Sequence, residues 1–171
     1  MSFVLGSRSI NNLVGIHPDL RRIIDGAIVT TTVDFGVTGK AVRNVAEQAA
    51  LYAQGRTEPG QKVTSMDGVI KVSNHQVRKD NWGHAVDLTP YEGGKYILTE
   101  RAWDLYPHIA SAMSKSARAL GLADKLKWGC NWYDTMAMYG TAPNDMLAAV
   151  ERYKTQHPGK DFLDGPHFEL T

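Results

Sequence analysis

Three side chains in this sequence, His75, Asp87 and His167, are of the types that bind a catalytic metal ion. A zinc ion that takes part in chemistry usually has three protein ligands of histidine and carboxylate type and leaves a fourth position to water. Asp164 lies three residues before His167, and Gly165-Pro166 between them favours a bend. We therefore predict a zinc site in which Asp164 stays outside the ligand set and transfers protons.

Strand geometry helps to choose between two candidate histidines. Residues 84–88 are predicted to form a short strand, in which successive side chains point to opposite faces. His84 and Asp87 are three positions apart, so their side chains would face away from each other. His75 lies on the preceding loop and can turn back towards Asp87. It is the preferred ligand, and His84 is the alternative.

The end of the chain shows the same alternation. Phe168 and Leu170 can point into the core while His167 points to the opposite face of a last strand. Any one histidine taken alone is more often an ordinary surface or hydrogen-bonded residue, so the prediction depends on the whole set. The remaining histidines, interpreted as ordinary residues, are His17, His108 and His157.

The bulk properties fit one globular domain with a core. The chain has 171 residues, 43% of them hydrophobic, and its 19 basic and 18 acidic residues give a formal charge of +1. No basic run indicates nucleic acid or an anionic membrane as a partner, and no apolar run approaches the ~18 residues of a membrane span. Cys130 is the only cysteine, so no intramolecular disulfide can form, and we interpret it as a packed residue.

Helices and short strands are predicted to position these residues. Apolar periodicity and end signals predict four helices, which begin at Pro18, cover 43–54, include 106–120 and cover 142–157. Stretches rich in β-branched or alternating residues predict strands at 28–38, 69–73, 84–88, 125–130 and 167–170. Because the order lacks regular βαβ alternation, we predict an α+β domain with a small antiparallel or mixed sheet flanked by helices.

In four motifs the chain resembles the zinc peptidases that include phage L-alanyl-D-glutamate endopeptidases and D-alanyl-D-alanine carboxypeptidases. The motifs are Ser73-Asn-His75, Gly83-His-Ala-Val-Asp-Leu88, Trp128-Gly-Cys-Asn-Trp132 and Asp164-Gly-Pro-His167. The opening of the chain is also similar to that of the phage enzymes. The resemblance implies a hedgehog/D,D-peptidase-like fold and a single peptidase domain over residues 1–171, with no separate wall-binding domain.

The resemblance also implies roles for individual residues. His75, Asp87 and His167 would be the ligands of Zn²⁺, Asp164 the catalytic acid/base, and Arg43 the contact to substrate or oxyanion. Four further residues would bind substrate: Gln48, Ser73, Trp128 and Trp132. For the two tryptophans, core packing is the alternative.

Three departures from the family pattern are visible. Eleven residues separate His75 from Asp87, where the family often has six, so the loop around residues 76–81 is longer. Cys130 stands where the family usually has glycine. The predicted helix over 142–157 resembles an insertion that could line the cleft.

The function implied is that of a phage endolysin, a zinc-dependent hydrolase that cuts the peptide stems of peptidoglycan between L-alanine and D-glutamate. A D-alanyl-D-alanine carboxypeptidase of the same family is the alternative, and a non-catalytic zinc-stabilised peptidoglycan-binding module is a third possibility. We expect peptide stems as the partner, with neither nucleic acid nor stable membrane insertion, and a monomer. The chain lacks a standard secretory signal, so we expect it in the host cytoplasm until holin-type release.

Overall fold

A computed structural model describes residues 2–159 and 162–171 of the chain. The helices are α1 (Ser7–Asn12), α2 (Pro18–Thr30), α3 (Val45–Ala53), α4 (Ala102–Ala119) and α5 (Pro143–Gln156). The strands are β1 (Phe35–Gly36), β2 (Ala85–Asp87), β3 (Thr89–Glu92), β4 (Lys95–Tyr96), β5 (Leu126–Trp128), β6 (Asn131–Thr135) and β7 (His167–Leu170). The predicted α+β class is confirmed.

The strands form two small antiparallel sheets. One has the order β1-β3-β4, and the other has the order β2-β7-β5-β6. In the four-stranded sheet β7 pairs with β2 in a register that sets Asp87 directly opposite His167 and Val86 opposite Phe168. Directly opposite residues of an antiparallel pair have their Cβ atoms about 4.5–5.5 Å apart. Strand pairing therefore brings two distant parts of the sequence together at one point.

The core lies on the other face of this sheet. Val86 and Phe168 are fully buried there, and the apolar stripes of α2 and α4 pack against each other beside them. The predicted inward face of α2 is confirmed, because Leu20, Ile23, Ile24 and Ala27 have no exposed surface. Among the helices of the described residues, none is long and apolar enough to cross a membrane.

Two predicted strands are wrong. The stretch 28–38 continues α2 as far as Thr30 and forms a strand only at Phe35–Gly36. Ile28 adds to the buried stripe of α2, and this packing outweighs the β-propensity of the residues around it. The stretch 69–73 forms no strand because Asp67 Oδ1 accepts the backbone N–H groups of residues 69, 70 and 71 at 2.7, 2.7 and 3.1 Å. These bonds hold a turn.

Other elements differ in extent or were not predicted. Helix α4 begins at Ala102, before the predicted stretch 106–120, and Pro107 lies in its second turn. The predictions did not include α1, β6 or the hairpin of β3 and β4. A signal for the hairpin exists in Gly93-Gly94, whose φ angles of 57° and 83° are those that a tight hairpin turn requires.

Candidate metal centre and active site

The structure brings His75, Asp87 and His167 together. His75 Nε2 lies 3.2 Å from His167 Nδ1 and 3.4 Å from Asp87 Oδ1, and His167 Nδ1 lies 3.3 Å from the same carboxylate oxygen. Nitrogen and oxygen ligands about 2.0–2.1 Å from a tetrahedral zinc ion stand about 3.3 Å from one another. The three atoms therefore have the spacing of three corners of such a site.

Each imidazole makes a hydrogen bond through the nitrogen that points away from the cluster. These bonds leave the inner nitrogens, His75 Nε2 and His167 Nδ1, available to bind a metal ion. His75 Nδ1 lies 2.9 Å from the carbonyl oxygen of Ala41, which can only accept, so Nδ1 is the donor. His167 Nε2 lies 3.0 Å from Glu169 Oε2 and donates to that carboxylate in the same way. In the neutral rings a lone pair then remains on His75 Nε2 and on His167 Nδ1, as metal binding requires.

The loop before β2 holds His75 in place. Ser73 Oγ accepts the backbone N–H of His75 at 3.2 Å, and the backbone N–H of Arg43 donates to the His75 carbonyl at 2.8 Å. Asn74 Nδ2 donates to Glu169 Oε2 at 2.9 Å, so this loop and β7 share the carboxylate that orients His167. Ser73 is buried, and in this structure its hydroxyl supports His75.

Arg43 lies beside the cluster. Its Nη2 donates to Asp87 Oδ2 at 2.8 Å, which leaves Asp87 Oδ1 for the two histidines. The residue precedes α3, whose first turn is closed by a capping box between Asn44 and Glu47. The predicted helix over 43–54 is confirmed within two residues, and Arg43 lies just before it.

Burial and charge shift the pKa values of the acidic groups in opposite directions. Burial alone would raise the pKa of Asp87, but the charges and hydrogen bonds of His75 and His167 hold it well below its usual range. Burial raises the pKa of Asp164, the negative charge of Asp87 adds to this effect, and His167, His75 and Arg43 oppose it. Two carboxylates beside one cluster thus have different protonation behaviour, as an acid/base and a ligand require.

A turn packed against the loop after β5 positions Asp164. Its backbone N–H donates to the Gly129 carbonyl at 3.0 Å, and the Gly129 N–H donates to the His167 carbonyl at 2.8 Å. Trp128 Nε1 donates to the Gly165 carbonyl at 2.8 Å. Trp128 is 1% exposed and stacks on Phe168, so it packs in the core, which was the alternative stated for it. It is a core residue that anchors the turn.

Substituting Gly129 by alanine is expected to destabilise the protein by about 1–3 kcal/mol and to reduce activity. A Cβ at this position would lie 2.4 Å from the Asp164 carbonyl oxygen and 3.0 Å from His167 Cβ, so the turn would have to move. Urea unfolding checks the effect on stability. Gly39→Ala is the matched control, because a Cβ there meets nothing within 4 Å. Equal stability of the two variants would contradict the packing argument.

The other predicted site residues fall into two groups. Trp132 lies at the site: its ring is half-buried, its centroid is 5.0 Å from that of His167, and its Nε1 donates to the Phe162 carbonyl at 2.7 Å. Gln48 has no exposed surface and donates to Thr64 Oγ1 and the Met66 carbonyl, so it supports the 64–66 loop. In this structure Gln48 is thus a supporting residue beneath that loop.

Two residues lie outside the catalytic set. Cys130 is buried, and burial raises the pKa of its thiol far above the usual range, so it is a packed residue and not a nucleophile. His84 is directed away from Asp87, with its Nε2 2.8 Å from Asp80 Oδ2. The structure thus assembles the cluster from His75 rather than His84, as strand alternation predicted.

Two clefts lie beside residues of the site. One, of about 600 Å³, is lined by Arg43 and Asp87 and by the ion pair of Lys40 and Glu47. The other, of about 330 Å³, is lined by Asp164 together with apolar and aromatic groups that include Trp103 and Tyr106. One cleft thus offers charged side chains of both signs, and the other offers aromatic ones.

The stability of the metal-free protein is expected to fall as the pH rises from about 6 to 9. Burial lowers the pKa of His167, but hydrogen bonds to Asp87 and Glu169 outweigh this and raise it to about 9 from 6.5. A raised pKa stabilises the fold fully below 6.5, and this contribution of about 3 kcal/mol is lost as the pH passes 9. Urea unfolding in a chelator at several pH values checks this.

The carboxylates leave that trend unchanged, because the lowered pKa values of Asp87 and Glu169 keep both ionised from pH 6 to 9. His167→Gln should flatten the profile, and His108→Gln should leave it as it is. Stability that is constant or rises over this range in the chelated wild-type protein would contradict the expectation.

This fold, with two histidines and an aspartate beside a spare carboxylate, is typical of a metal-dependent peptidase. The family model of the phage L-alanyl-D-glutamate peptidases matches residues 1–171, and the chain belongs to that family. The L-alanyl-D-glutamate peptidase of Escherichia phage T5 is 26% identical over 132 residues, which are 77% of this chain and 83% of that protein.

A solved structure is also similar. The crystal structure of the Serratia marcescens L-Ala D-Glu endopeptidase ChiX matches with a TM-score of 0.59 and 28% sequence identity. The match covers 98% of this chain and 90% of the Serratia chain. The resemblance stated from the four sequence motifs is therefore confirmed, and the chain is a peptidase of this family.

Proposed function

We propose that the chain is a zinc-dependent endopeptidase that cuts the L-alanyl–D-glutamate bond of peptidoglycan stems and acts as a phage endolysin. The observation that supports this best is the His75–Asp87–His167 cluster, with 3.2–3.4 Å between its inner atoms, in a member of this peptidase family. Two imidazoles and one carboxylate suit zinc better than the hard cations Ca²⁺ and Mg²⁺, which prefer oxygen ligands.

The metal ligands proposed are His75 Nε2, His167 Nδ1 and Asp87 Oδ1. When bound, a zinc ion would supply Lewis-acid chemistry, which polarises a peptide carbonyl and makes water easier to deprotonate. Glu169 and the Ala41 carbonyl would keep the two imidazoles in the ligating tautomer. Zinc binding would also require His167 to lose the proton that its raised pKa otherwise favours, so affinity should increase with pH.

The proposed catalytic steps use this chain's own side chains. Asp164 accepts a proton from the attacking water and returns it to the leaving amine, and its raised pKa suits both halves of that task. Arg43 has N–H groups beside the cluster, where they can stabilise an oxyanion or a substrate carboxylate. Trp132 would restrict the orientation of the substrate next to His167.

The clefts suit an alanyl–glutamate bond. A D-glutamate residue within a peptide stem keeps one free carboxylate, because only one of its carboxyl groups forms the next amide bond. Arg43 and Lys40 in the larger cleft would donate to that carboxylate beside their present partners, Asp87 and Glu47. The cleft beside Asp164, with Trp103 and Tyr106, would accept the alanine side of the stem.

The endolysin role also has consequences for the oligomeric state of the protein and its place in the host cell. The site residues described here all come from one chain, so a monomer would be sufficient. We propose that the enzyme is held in the host cytoplasm and reaches the wall by holin-type release. A purely structural zinc site would usually use protein for the fourth position and would have no need of Asp164 as a spare carboxylate, so the binding-module alternative is less well supported.

Lysis of outer-membrane-permeabilised Gram-negative cells tests the proposal. The wild-type protein should clear the suspension, a chelator should abolish clearing, and added zinc should restore it. Lysis that continues after complete removal of zinc, checked by elemental analysis of the protein, would overturn the zinc-dependent function.

A further inference from the structure

A second His–Asp–His cluster lies outside the active site. His84 Nε2 is 2.8 Å from Asp80 Oδ2, and His17 Nε2 is 4.0 Å from the same oxygen. One potential ligand atom from each of the three residues lies within 4.8 Å of the other two. The sequence offered no reason to group His17 with His84, since 67 positions separate them.

The two histidines of this cluster are arranged like those of the active site. The rings of His17 and His84 have centroids 5.1 Å apart and an interplanar angle of 62°. For His75 and His167 the corresponding values are 5.1 Å and 63°. A carboxylate oxygen lies near one nitrogen of both rings in each pair, at 2.8 and 4.0 Å for Asp80 and at 3.4 and 3.3 Å for Asp87. The two clusters therefore offer the same types of ligand atom.

Backbone hydrogen bonds hold the two histidines side by side. The His17 N–H donates to the Gly83 carbonyl at 2.8 Å, and the Gly83 N–H donates to the Gly15 carbonyl at 2.9 Å. His84 is held on its other side, because its N–H donates to the Asn74 carbonyl at 2.7 Å. The two imidazoles therefore stand on adjacent, paired backbone segments. Such preorganisation favours a binding site.

A turn brings the carboxylate to the histidines. The Asn81 N–H donates to the Arg78 carbonyl at 2.9 Å, and Asn81 has a φ of 70°, which is uncommon for a residue other than glycine. Asp80 Oδ1 accepts the Trp82 N–H at 3.3 Å, so Oδ2 remains directed at His84. The Asp80 side chain is 44% exposed, which leaves room for water around a bound ion.

We propose that His17, Asp80 and His84 bind a second divalent transition-metal ion such as Zn²⁺. Two imidazoles and a carboxylate are ligands that suit zinc and its neighbours rather than calcium or magnesium. The side chains of His17 and His84 are 26% and 21% exposed, so the ion would exchange with solvent and complete its coordination with water. This site is distinct from the cluster formed by His75, Asp87 and His167.

The second site binds more weakly than the first. His17 Nδ1 accepts the backbone N–H of Asp19 at 3.1 Å as the N-cap of α2, so in the neutral ring Nε2 has the proton. A metal ion at Nε2 must displace that proton and break the cap. In the active site the outer nitrogens are already donors. The active-site cluster therefore fills first, and the second cluster fills at higher free metal concentration.

An ion bound by His17, Asp80 and His84 would link the segment that follows His75 to the start of α2. Asn74 accepts the His84 N–H through its carbonyl and donates through its side chain to Glu169, which in turn orients His167. The second ion would thus stabilise the loop over residues 76–82. This loop is connected to the active site through the contacts of Asn74 and Glu169.

Equilibrium dialysis of the full chain against buffered Zn²⁺ at pH 7.5, with metal content measured by mass spectrometry, tests the proposal. The wild-type protein should bind two ions in two steps. Asp80→Asn and His84→Gln should retain the first step and weaken the second at least about 10-fold, since loss even of an outer partner costs 10–100-fold. His108→Gln is the matched control and should bind two ions.

A third variant separates this proposal from the proposed function. His167→Ala should lose the tighter step and keep the weaker one, whether or not the protein cuts peptidoglycan. A wild-type protein that saturates at one ion would overturn the second site. So would a second step whose affinity is unchanged in Asp80→Asn, an exposed substitution that should leave the fold intact.

Discussion

Replacing Asp164 by asparagine is expected to reduce the rate of peptide cleavage by about 10²–10⁴-fold. Asparagine has nearly the same size, so it can occupy the turn between Gly129 and His167, but it cannot accept the proton of the attacking water. The measurement is kcat/KM on purified muropeptides. Metal content should be unchanged, because Asp164 is not one of the three ligand residues grouped by the structure.

Asp124→Asn is the control for this substitution. Asp124 is an exposed aspartate at the end of the loop between α4 and β5, and its loss removes the same charge without touching the site. It should retain wild-type kcat/KM. An Asp164→Asn protein that is folded, contains metal and keeps more than a tenth of wild-type activity would show that another group transfers the proton.

Replacing His167 by alanine is expected to abolish both tight zinc binding and activity, with a loss of about 10³-fold or more in kcat/KM. The reason is that a Lewis-acid metal contributes several kcal/mol to transition-state stabilisation, and each 1.36 kcal/mol corresponds to tenfold in rate. Chelation of the wild-type protein should have the same effect on activity. The measurement is turnover of muropeptides before and after zinc is added back.

Added zinc should restore the activity of the chelated wild-type protein but not that of the His167→Ala variant. His108→Ala is the control, because His108 contacts Thr32 and is not part of the cluster. This variant should have wild-type activity and zinc affinity. Activity of His167→Ala that zinc restores fully would mean that the remaining residues suffice to bind the catalytic ion.

The side-chain directions that follow from strand alternation could be predicted from the sequence. The two-residue period of a strand predicted that the His167 side chain points away from that of Phe168. It also predicted that the His84 and Asp87 side chains face away from each other. Both inferences concern residues close together along one strand, where local geometry determines direction. The apolar stripe of α2 was predictable for the same reason, since helix periodicity is a local property.

The roles of Gln48, Ser73 and Trp128 were not predictable in this way. Each is polar or amphipathic, but its burial and its hydrogen-bond partners depend on other parts of the chain. Trp128 reaches the Gly165 carbonyl, and Gln48 reaches the loop at 64–66. Likewise, the N-cap position of His17 is a local signal, whereas its approach to Asp80 depends on tertiary pairing between Ile16 and Gly83.

Mass spectrometry of muropeptides digested with zinc-loaded and with chelated enzyme tests the central proposal most directly. The zinc-loaded protein should produce fragments with a new L-alanine carboxyl end and a new D-glutamate amino end, and the chelated protein should produce neither. Loss of a single terminal D-alanine from intact stems would instead identify a D,D-carboxypeptidase. That result, or identical cleavage after complete zinc removal, would contradict a zinc-dependent L-alanyl-D-glutamate endopeptidase.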